Sequence, residues 1–465
     1  MLRRAAFLNA RSGMSTSSEL HRGLLFVLAV LVVNLAAVAQ SIARSKLPIE
    51  LASLTDEELT RLAKMERVAA IPADPTNRVA DDEGAANLGH RLFFDTRFSP
   101  KGVSCATCHD PTKSFTDGLP LAQGIGVAQR NTPSVLDAAR RRWIGWDGKF
   151  DSLWSQALSP LENPLEMGSD RTTVLRVLRD DPELRATYTQ TFGAFPSELE
   201  AGPRDPLAVG AARDTATQVL VDATTANILK SLGAYQRRLN SGRAPIDRFV
   251  AALRDSAPGG TPSDASSDLA QDTVREVDAL SPSARRGLAL FVGRAGCYQC
   301  HRGPEFSDEE FHSLGLTGAN GRVPEDPARL AAVDFLKASP WNAAGAFSDD
   351  PASPKAQMVR SIKRSGELFG QFRTPSLRGV AATAPYMHDG RFARLDDVIH
   401  FYDTLDGTAP VGHHGESVLE PLGLDAKERT ELVEFLKAIS GAPANPKWIR
   451  DPKLEPLRTN GTDER

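Results

Sequence analysis

The sequence predicts a mainly helical fold, and three observations carry that expectation. No run of alternating β-branched residues exceeds about four, which is short of a convincing strand. Helix-start chemistry recurs: Thr55-Asp-Glu-Glu58 has capping-box spacing, and Ser281-Pro282 sets a cap residue before a proline at the first helical position. There is also an internal repeat. Gly89-x-x-Leu92-Phe93 precedes Cys105 as Gly287-x-x-Leu290-Phe291 precedes Cys297, so a helix, a short loop and a Cys-x-x-Cys-His run occur twice.

Taken in order, the capping box opens a helix through Met65, and helical windows follow at Thr172–Leu178 and Ala223–Leu239. After Ser281-Pro282, apolar residues fall at Ala284, Leu288, Phe291 and Val292, one face of a helix that runs straight into Cys297. Leu395–Tyr402 and Ala426–Ile439 complete the set, separated by long loops rich in Gly, Pro and Asp. Two stretches read as insertions: Ser256–Asp272, too small and polar to bury a core, and the looser Gly315–Ser365. Pro446 to Arg465 reads as an extended polar tail, and His90 as a solvated helix position.

Composition narrows the class. The chain has 465 residues, 41% hydrophobic and 25% charged, which excludes a disordered chain, a collagen and a polytopic membrane protein. A net charge of −4 gives no basic footprint for nucleic acid. At the N-terminus Arg3, Arg4, Arg11, His21 and Arg22 precede an apolar run from Gly23 that closes on Ala37-Val38-Ala39. A basic flank, a short apolar stretch and a small-x-small end make residues 1–39 an export signal. The alternative is an uncleaved membrane anchor, to which the A-x-A ending would contribute nothing. In both cases the body of the protein lies outside the cytoplasm, with a periplasmic location expected.

The four cysteines form two pairs, each followed at once by histidine: Cys105-Ala-Thr-Cys108-His109 and Cys297-Tyr-Gln-Cys300-His301. Two thiols three residues apart can both add to the vinyl groups of one haem, and the next residue is then held under the iron as a proximal imidazole. Chance would give such a match on the order of a thousandth of a time at this composition. A zinc ribbon or a redox dithiol would not demand histidine after both pairs. Two haem c groups are therefore expected.

Whether one iron stays open for chemistry is a question for the histidines. All nine are His21, His90, His109, His301, His312, His388, His400, His413 and His414, so the long stretch between His109 and His301 contains none. In that stretch Trp143-Ile-Gly-Trp146-Asp147-Gly148-Lys149, Gln156, Pro160, Asn163 and Pro164-Leu-Glu166-Met167 set tryptophans, an amide and a carboxylate among apolar residues. A peroxidatic site needs a base that moves a proton from the near to the far oxygen of peroxide, and Glu166 in a dry pocket is a candidate. On residue type alone a surface Glu capping a turn, and a core Met167, remain open.

Seven ordered motifs carry a family resemblance: LGHRLFFDTRFS, SCATCHDPTKSFTDG, QRNTPSVLD, WDGKFDSLWSQALSPLENPLEM, GCYQCHRGPEFSD, FRTPSLRGVAATAPYMHDGRF and LDDVIHFYD. Across Asn87 to Ile439 the chain resembles the bacterial di-haem cytochrome c peroxidases, and within them the MauG-like branch. The resemblance implies two cytochrome c-like domains, 48–222 with a peroxide-reacting haem and 223–450 with an electron-transfer haem, before a tail at 451–465. It implies a calcium ion between them, with Asn131 as side-chain ligand and Thr383 and Pro385 offering carbonyls; oxygen donors suit a hard cation. Trp146 matches the tryptophan between the haems, and Gln156, Pro160 and Glu166 match the distal pocket.

Tyr402 stands where the plain peroxidases have the methionine ligand of the second haem. Leu395, Val398, Ile399 and Tyr402 also share one helix face, which excludes His400. A core tyrosine is the alternative reading of that spacing, and Met387 and His388 are rival ligands. Peroxidases of this family generally carry a histidine on the loop after the first motif that blocks the haem until the other haem is reduced. Asp110 to Arg130 contains no histidine, so a five-coordinate first haem, active without prior reduction, is expected. His312 resembles a recurring family residue, with a packing or propionate contact expected. The function implied is a periplasmic peroxidase acting on hydrogen peroxide, with electrons from a small c-type cytochrome or cupredoxin. A maturase that oxidises side chains of a partner protein, and a non-catalytic electron carrier, are the alternatives.

Overall fold

The computed structural model describes residues 44, 47–67, 70–255, 277–318, 321, 324–409, 419–443 and 445–454. The export segment, the 256–272 stretch, His413, His414 and residues 455–465 lie outside them. Within them the fold is mainly helical, as expected. α1 (Asp56–Ala63) opens on the complete capping box: Thr55 Oγ1 accepts from the Glu58 N–H at 3.2 Å, and the Glu58 carboxylate accepts from the Thr55 N–H at 2.7 Å. There follow α2 (Glu83–Phe93), α3 (Leu153–Glu162), α4 (Arg171–Asp180), α5 (Pro182–Phe192), α6 (Thr215–Gln236) and α7 (Pro245–Asp255). Then come α8 (Pro282–Val292), α9 (Arg329–Ala338), α10 (Pro354–Ser361), α11 (Leu395–Thr404) and α12 (Ala426–Ala438). Ser281 caps α8 by accepting from the Ala284 N–H at 3.1 Å, with Ala284, Leu288, Phe291 and Val292 buried. The one sheet among the described residues pairs β1 (Phe311–His312) with β2 (Phe372–Arg373), antiparallel. No described helix is long and apolar enough to cross a membrane.

The internal repeat proves to be a repeat of packing. A Cβ on Gly89 of α2 would lie 1.9 Å from the Ser231 carbonyl oxygen of α6, and one on Gly287 of α8 would lie 1.9 Å from that of Glu431 in α12. Each glycine thus lets the helix before a Cys-x-x-Cys-His run cross another helix at backbone contact. Around the first crossing Leu88, Phe93, Trp154, Leu229 and Tyr235 form one buried apolar cluster. Around the second, Leu288, Phe291, Phe249, Leu432 and Phe435 form another.

Four expectations change. The division expected between residues 222 and 223 falls inside the unbroken α6, whose later turns build the first cluster. Leu51, Leu59, Leu62 and Met65, near the start, pack in the second cluster instead. The tail expected from Pro446 turns back: Trp448 is buried in the first cluster, its carbonyl accepting from the Tyr235 hydroxyl at 2.7 Å, and Pro452–Leu454 forms a further turn of helix. His90 is buried rather than solvated. Its ring stacks on Tyr235 at 4.8 Å, and its Nε2 reaches the Arg450 carbonyl at 2.7 Å.

The Gly315–Ser365 stretch is also more than a loose insertion. Leu336 of α9 and Ala356 and Val359 of α10 bury against Trp143. Asp151 accepts from the Ala343 N–H at 2.6 Å, and Arg329 lies over Trp143 and Phe311, 4.5 and 3.9 Å from their ring centroids. It therefore buttresses the segment that carries Trp146.

Candidate active site

The two Cys-x-x-Cys-His runs adopt one local design. Cys105–Cys108 is a single helical turn and Cys297–Gln299 a 3-10 turn. The His109 N–H donates to the Cys105 carbonyl, and the His301 N–H to that of Cys297, each at 2.9 Å. His109 Nδ1 lies 3.1 Å from the Phe115 carbonyl and His301 Nδ1 3.0 Å from that of Phe306. Phe115 and Phe306 are fully buried with φ of 59° and 49°, a left-handed turn that brings their carbonyls back to the imidazoles. With Nδ1–H donating to a carbonyl, Nε2 carries the lone pair that a metal takes. Burial lowers both imidazole pKa values, partly opposed by those carbonyls, so each ring is held neutral as a ligand must be.

The thiols test what such a site can hold. The four cysteines form no disulfide. Burial pushes Cys105 and Cys297 up to about 12; Cys108 is pushed up to about 11 by burial and then by the Asp117 and Glu166 carboxylates. A reactive redox dithiol needs the reverse environment. Neutral sulfurs beside a neutral imidazole suit thioether attachment of a haem. Room for one is present at the second pair: a cavity of about 420 Å³ is lined by Cys297, Cys300, His301, Tyr402 and the apolar Leu395, Ile399 and Leu436.

Glu166 lies near the first pair, since its charge acts on both Cys105 and Cys108. Its carboxylate accepts from Asn163 Nδ2 at 2.6 Å, while Asn163 Oδ1 accepts from the Leu165 N–H at 3.0 Å. The loop after the first motif is zipped onto this turn: the Ile125 and Gly126 N–H groups donate to the carbonyls of Glu166 and Leu165, each at 2.9 Å. Gly124 permits the approach, because a Cβ there would fall 2.5 Å from the Glu166 carbonyl oxygen. Gln156 is half-buried on α3, as is Pro160, and Met167 is buried in the first cluster.

Between the two motifs Trp146 donates from Nε1 to the Asn131 carbonyl at 2.9 Å and accepts at its own carbonyl from the Arg373 N–H at 2.8 Å. The Asn131 N–H donates to the His388 carbonyl and its Nδ2 to the Leu119 carbonyl, both at 2.8 Å. Trp146, Asn131, Thr383 and Pro385 all line the second cavity. So do Tyr402, Met387 and His388, whereas His400 is exposed. Burial and the Cys297 and Cys300 thiols raise the Tyr402 phenol. His388 instead stacks on Phe372 at 3.8 Å, and burial lowers it to about 4. Cys300, Asp308 and His312 form the one cluster of metal-binding side chains among the described residues, with His312 Nε2 2.9 Å from Asp308 Oδ2.

Sequence reasoning missed the cations. Arg130 pairs with Asp147 at 2.5 Å and Asp326 at 2.8 Å, tying the Trp146 loop to the 315–365 stretch, and Arg141 and Arg373 line the cavity. Arg130 reaches Asp326 and Arg373 reaches Glu309 from far along the chain, so no local spacing marks those pairs.

Residues 83–255 match the family model described as di-haem cytochrome c peroxidase. Over 402 residues the chain is 31% identical to the methylamine utilization protein MauG of Methylorubrum extorquens, covering 84% of this chain and 88% of that one. The chain belongs to the di-haem cytochrome c peroxidase family. It is an enzyme of the peroxidase class, and its family implies two haem c groups. Cytochrome-c peroxidase IdrP1 of Denitromonas iodatirespirans is 33% identical over 84% of this chain and 89% of its own. Among solved structures, the diheme peroxidase BthA of Burkholderia thailandensis shares the fold, with a TM-score of 0.56 and 22% identity over 81% of this chain and 90% of that one.

Proposed function

We propose that the protein is a periplasmic peroxidase that reduces hydrogen peroxide at a haem held by Cys105, Cys108 and His109, and takes its electrons through a second haem held by Cys297, Cys300, His301 and Tyr402. The observation that carries this is the paired design: two Cys-x-x-Cys-His turns, each with a neutral imidazole fixed by a carbonyl, and beside the first pair the Glu166 carboxylate held by Asn163. The two haem units are then the two apolar clusters, each with its glycine crossing. When bound, haem supplies an iron that takes electrons one at a time and binds peroxide.

The chain's own residues do the rest. Glu166, held by Asn163, takes the proton from the near oxygen of peroxide and returns it to the far one as the O–O bond breaks, with Gln156 orienting the substrate. Trp146 bridges the two units, fixed at its indole N–H by Asn131 and at its carbonyl by Arg373. Tyr402 is favoured over His388 because it lines the cavity close enough for the Cys297 and Cys300 thiols to act on its phenol, whereas His388 is engaged with Phe372, and over Met387 by the family resemblance. A calcium ion bound by Asn131 Oδ1 and the carbonyls of Thr383 and Pro385 fits the amide whose nitrogen is already committed to Leu119. The reductant is a small redox protein.

The test is to mix the ferric holoprotein with stoichiometric peroxide, follow both haem spectra, then add reduced donors. A high-spin first haem and turnover with donor are expected; two low-spin haems in the resting protein, or no peroxide consumption, would overturn the assignment. In Glu166→Gln the reaction with peroxide is expected to slow by about 10².

A further inference from the structure

Five arginines, Arg67, Arg140, Arg141, Arg373 and Arg378, gather where the first motif's following segment meets the second motif. Four carboxylates stand among them, and each is engaged. Asp137 pairs with Arg67 at 2.8 Å, Asp247 with Arg378 at 2.7 Å, Glu309 with Arg373 at 3.0 Å, and Glu305 with Arg67 at 3.5 Å and Arg140 at 3.8 Å. Arg141 is left over. No described carboxylate lies within 4 Å of it. Its Nη2 donates to the carbonyls of Ser134 at 3.0 Å and Leu136 at 3.2 Å, while its Nε is buried with no partner. Burial, and then the charge of Arg373, pull its pKa down to about 10. A buried cation is expensive unless an anion offsets it, and at this one Glu309, Asp137 and Glu305 act only from beyond ion-pair distance. Arg141 nonetheless lines the cavity of the second motif, whose wall also holds Cys297 and His301, while its charge acts on His109 of the first. The missing anion therefore belongs in that cavity, and haem carries two carboxylates on its propionate arms.

We propose that Arg141 is the counter-ion of a propionate carboxylate on the haem attached at Cys297 and Cys300, positioned by the Ser134 and Leu136 carbonyls before that haem arrives. This deepens the assignment of a haem to the second pair and rests on it. A guanidinium at the edge of the macrocycle favours the reduced iron, so its loss lowers the reduction potential of that haem. Arg141 is thus a positioning and tuning residue rather than a catalytic one.

Spectroelectrochemical titration of the holoenzyme, with the two haems resolved by their spectra, tests it. In Arg141→Gln the midpoint of the second haem is expected to fall and its propionate bending band in resonance Raman to shift, with a smaller change at the first haem. Arg141→Lys, which keeps the charge, is expected to recover most of the potential while the band still shifts. Unchanged band and potential in both variants, or equal displacement of both haems, would overturn the proposal. Should Arg141→Gln be recovered unfolded, the band in Arg141→Lys decides alone: an unshifted band refutes the contact. Haem staining after denaturation and a pyridine haemochrome count on the wild-type chain report separately on the underlying assignment, since a chain with no covalent haem at Cys297 fails that reading whatever Arg141 does.

Discussion

Glu166 has one carboxylate oxygen engaged by Asn163 and the other unassigned to any donor on its own turn, which suits the proposed role of giving and taking a proton. Removing the anchor should therefore cost less than removing the base. Asn163→Ala is expected to slow the peroxide reaction by about 10-fold, against the larger loss in Glu166→Gln, and stopped-flow traces at several peroxide concentrations check the order. On the proposed ligation of the second haem by Tyr402, Tyr402→Met would exchange an iron-bound phenolate for a soft thioether, so the potential of that haem should rise by on the order of 0.1 V or more, read by redox titration. Single residues were legible where their chemistry is local. Cysteine spacing marks each haem turn, and helical spacing put Tyr402 on the cavity side and His400 in solvent. His90 was misread because its surroundings come from Tyr235 and Arg450, and Arg141 went unseen because a missing partner leaves no pattern in a sequence.

Among the elements, the two glycine crossings are the points of least tolerance. With a Cβ 1.9 Å from a carbonyl oxygen, Gly89→Ala must push α2 off α6, and Gly287→Ala must push α8 off α12. Each is expected to lower stability by about 1–3 kcal/mol, read as a drop in the denaturant midpoint, with Gly102→Ala unsuitable as a control because of its left-handed φ and Gly202→Ala suitable because open space surrounds it. The repeat that exposed these glycines was visible in the sequence, as were the capping box of α1 and the start of α8. The 315–365 stretch was not, because its apolar residues complete their small cluster only with Trp143 and Phe311 from elsewhere in the chain. Its helices read as loop when their own composition is the only guide.

At the scale of the whole molecule, Asp247 and Arg378 pin α7 to the segment that leads to Thr383 and Pro385, with the carboxylate fully buried. Burial pushes the Asp247 pKa up, but Arg378 and the N–H groups of Ala244 and Arg67 outweigh it and hold it below the usual carboxylate range. A carboxylate depressed in the fold stabilises above its unfolded pKa of about 4 and loses that contribution as pH falls through the folded value. Asp247→Asn should cost about 3 kcal/mol or more at pH 7, and the gap in Tm from wild type should narrow below about pH 4, as thermal melts across pH would record. The global arrangement was the least legible part. A pair of apolar clusters accords with the duplicated motif, but which segments build which cluster does not follow from it, since Leu51 to Met65 serve the second and Trp448 the first. This exchange of ends bears on biogenesis. Residues synthesised early wait for the later half before they find their core, and the first cluster stays open along one side until Trp448 has emerged. Fragments cut at any point between α7 and α8 would therefore each lack a piece of their own interior.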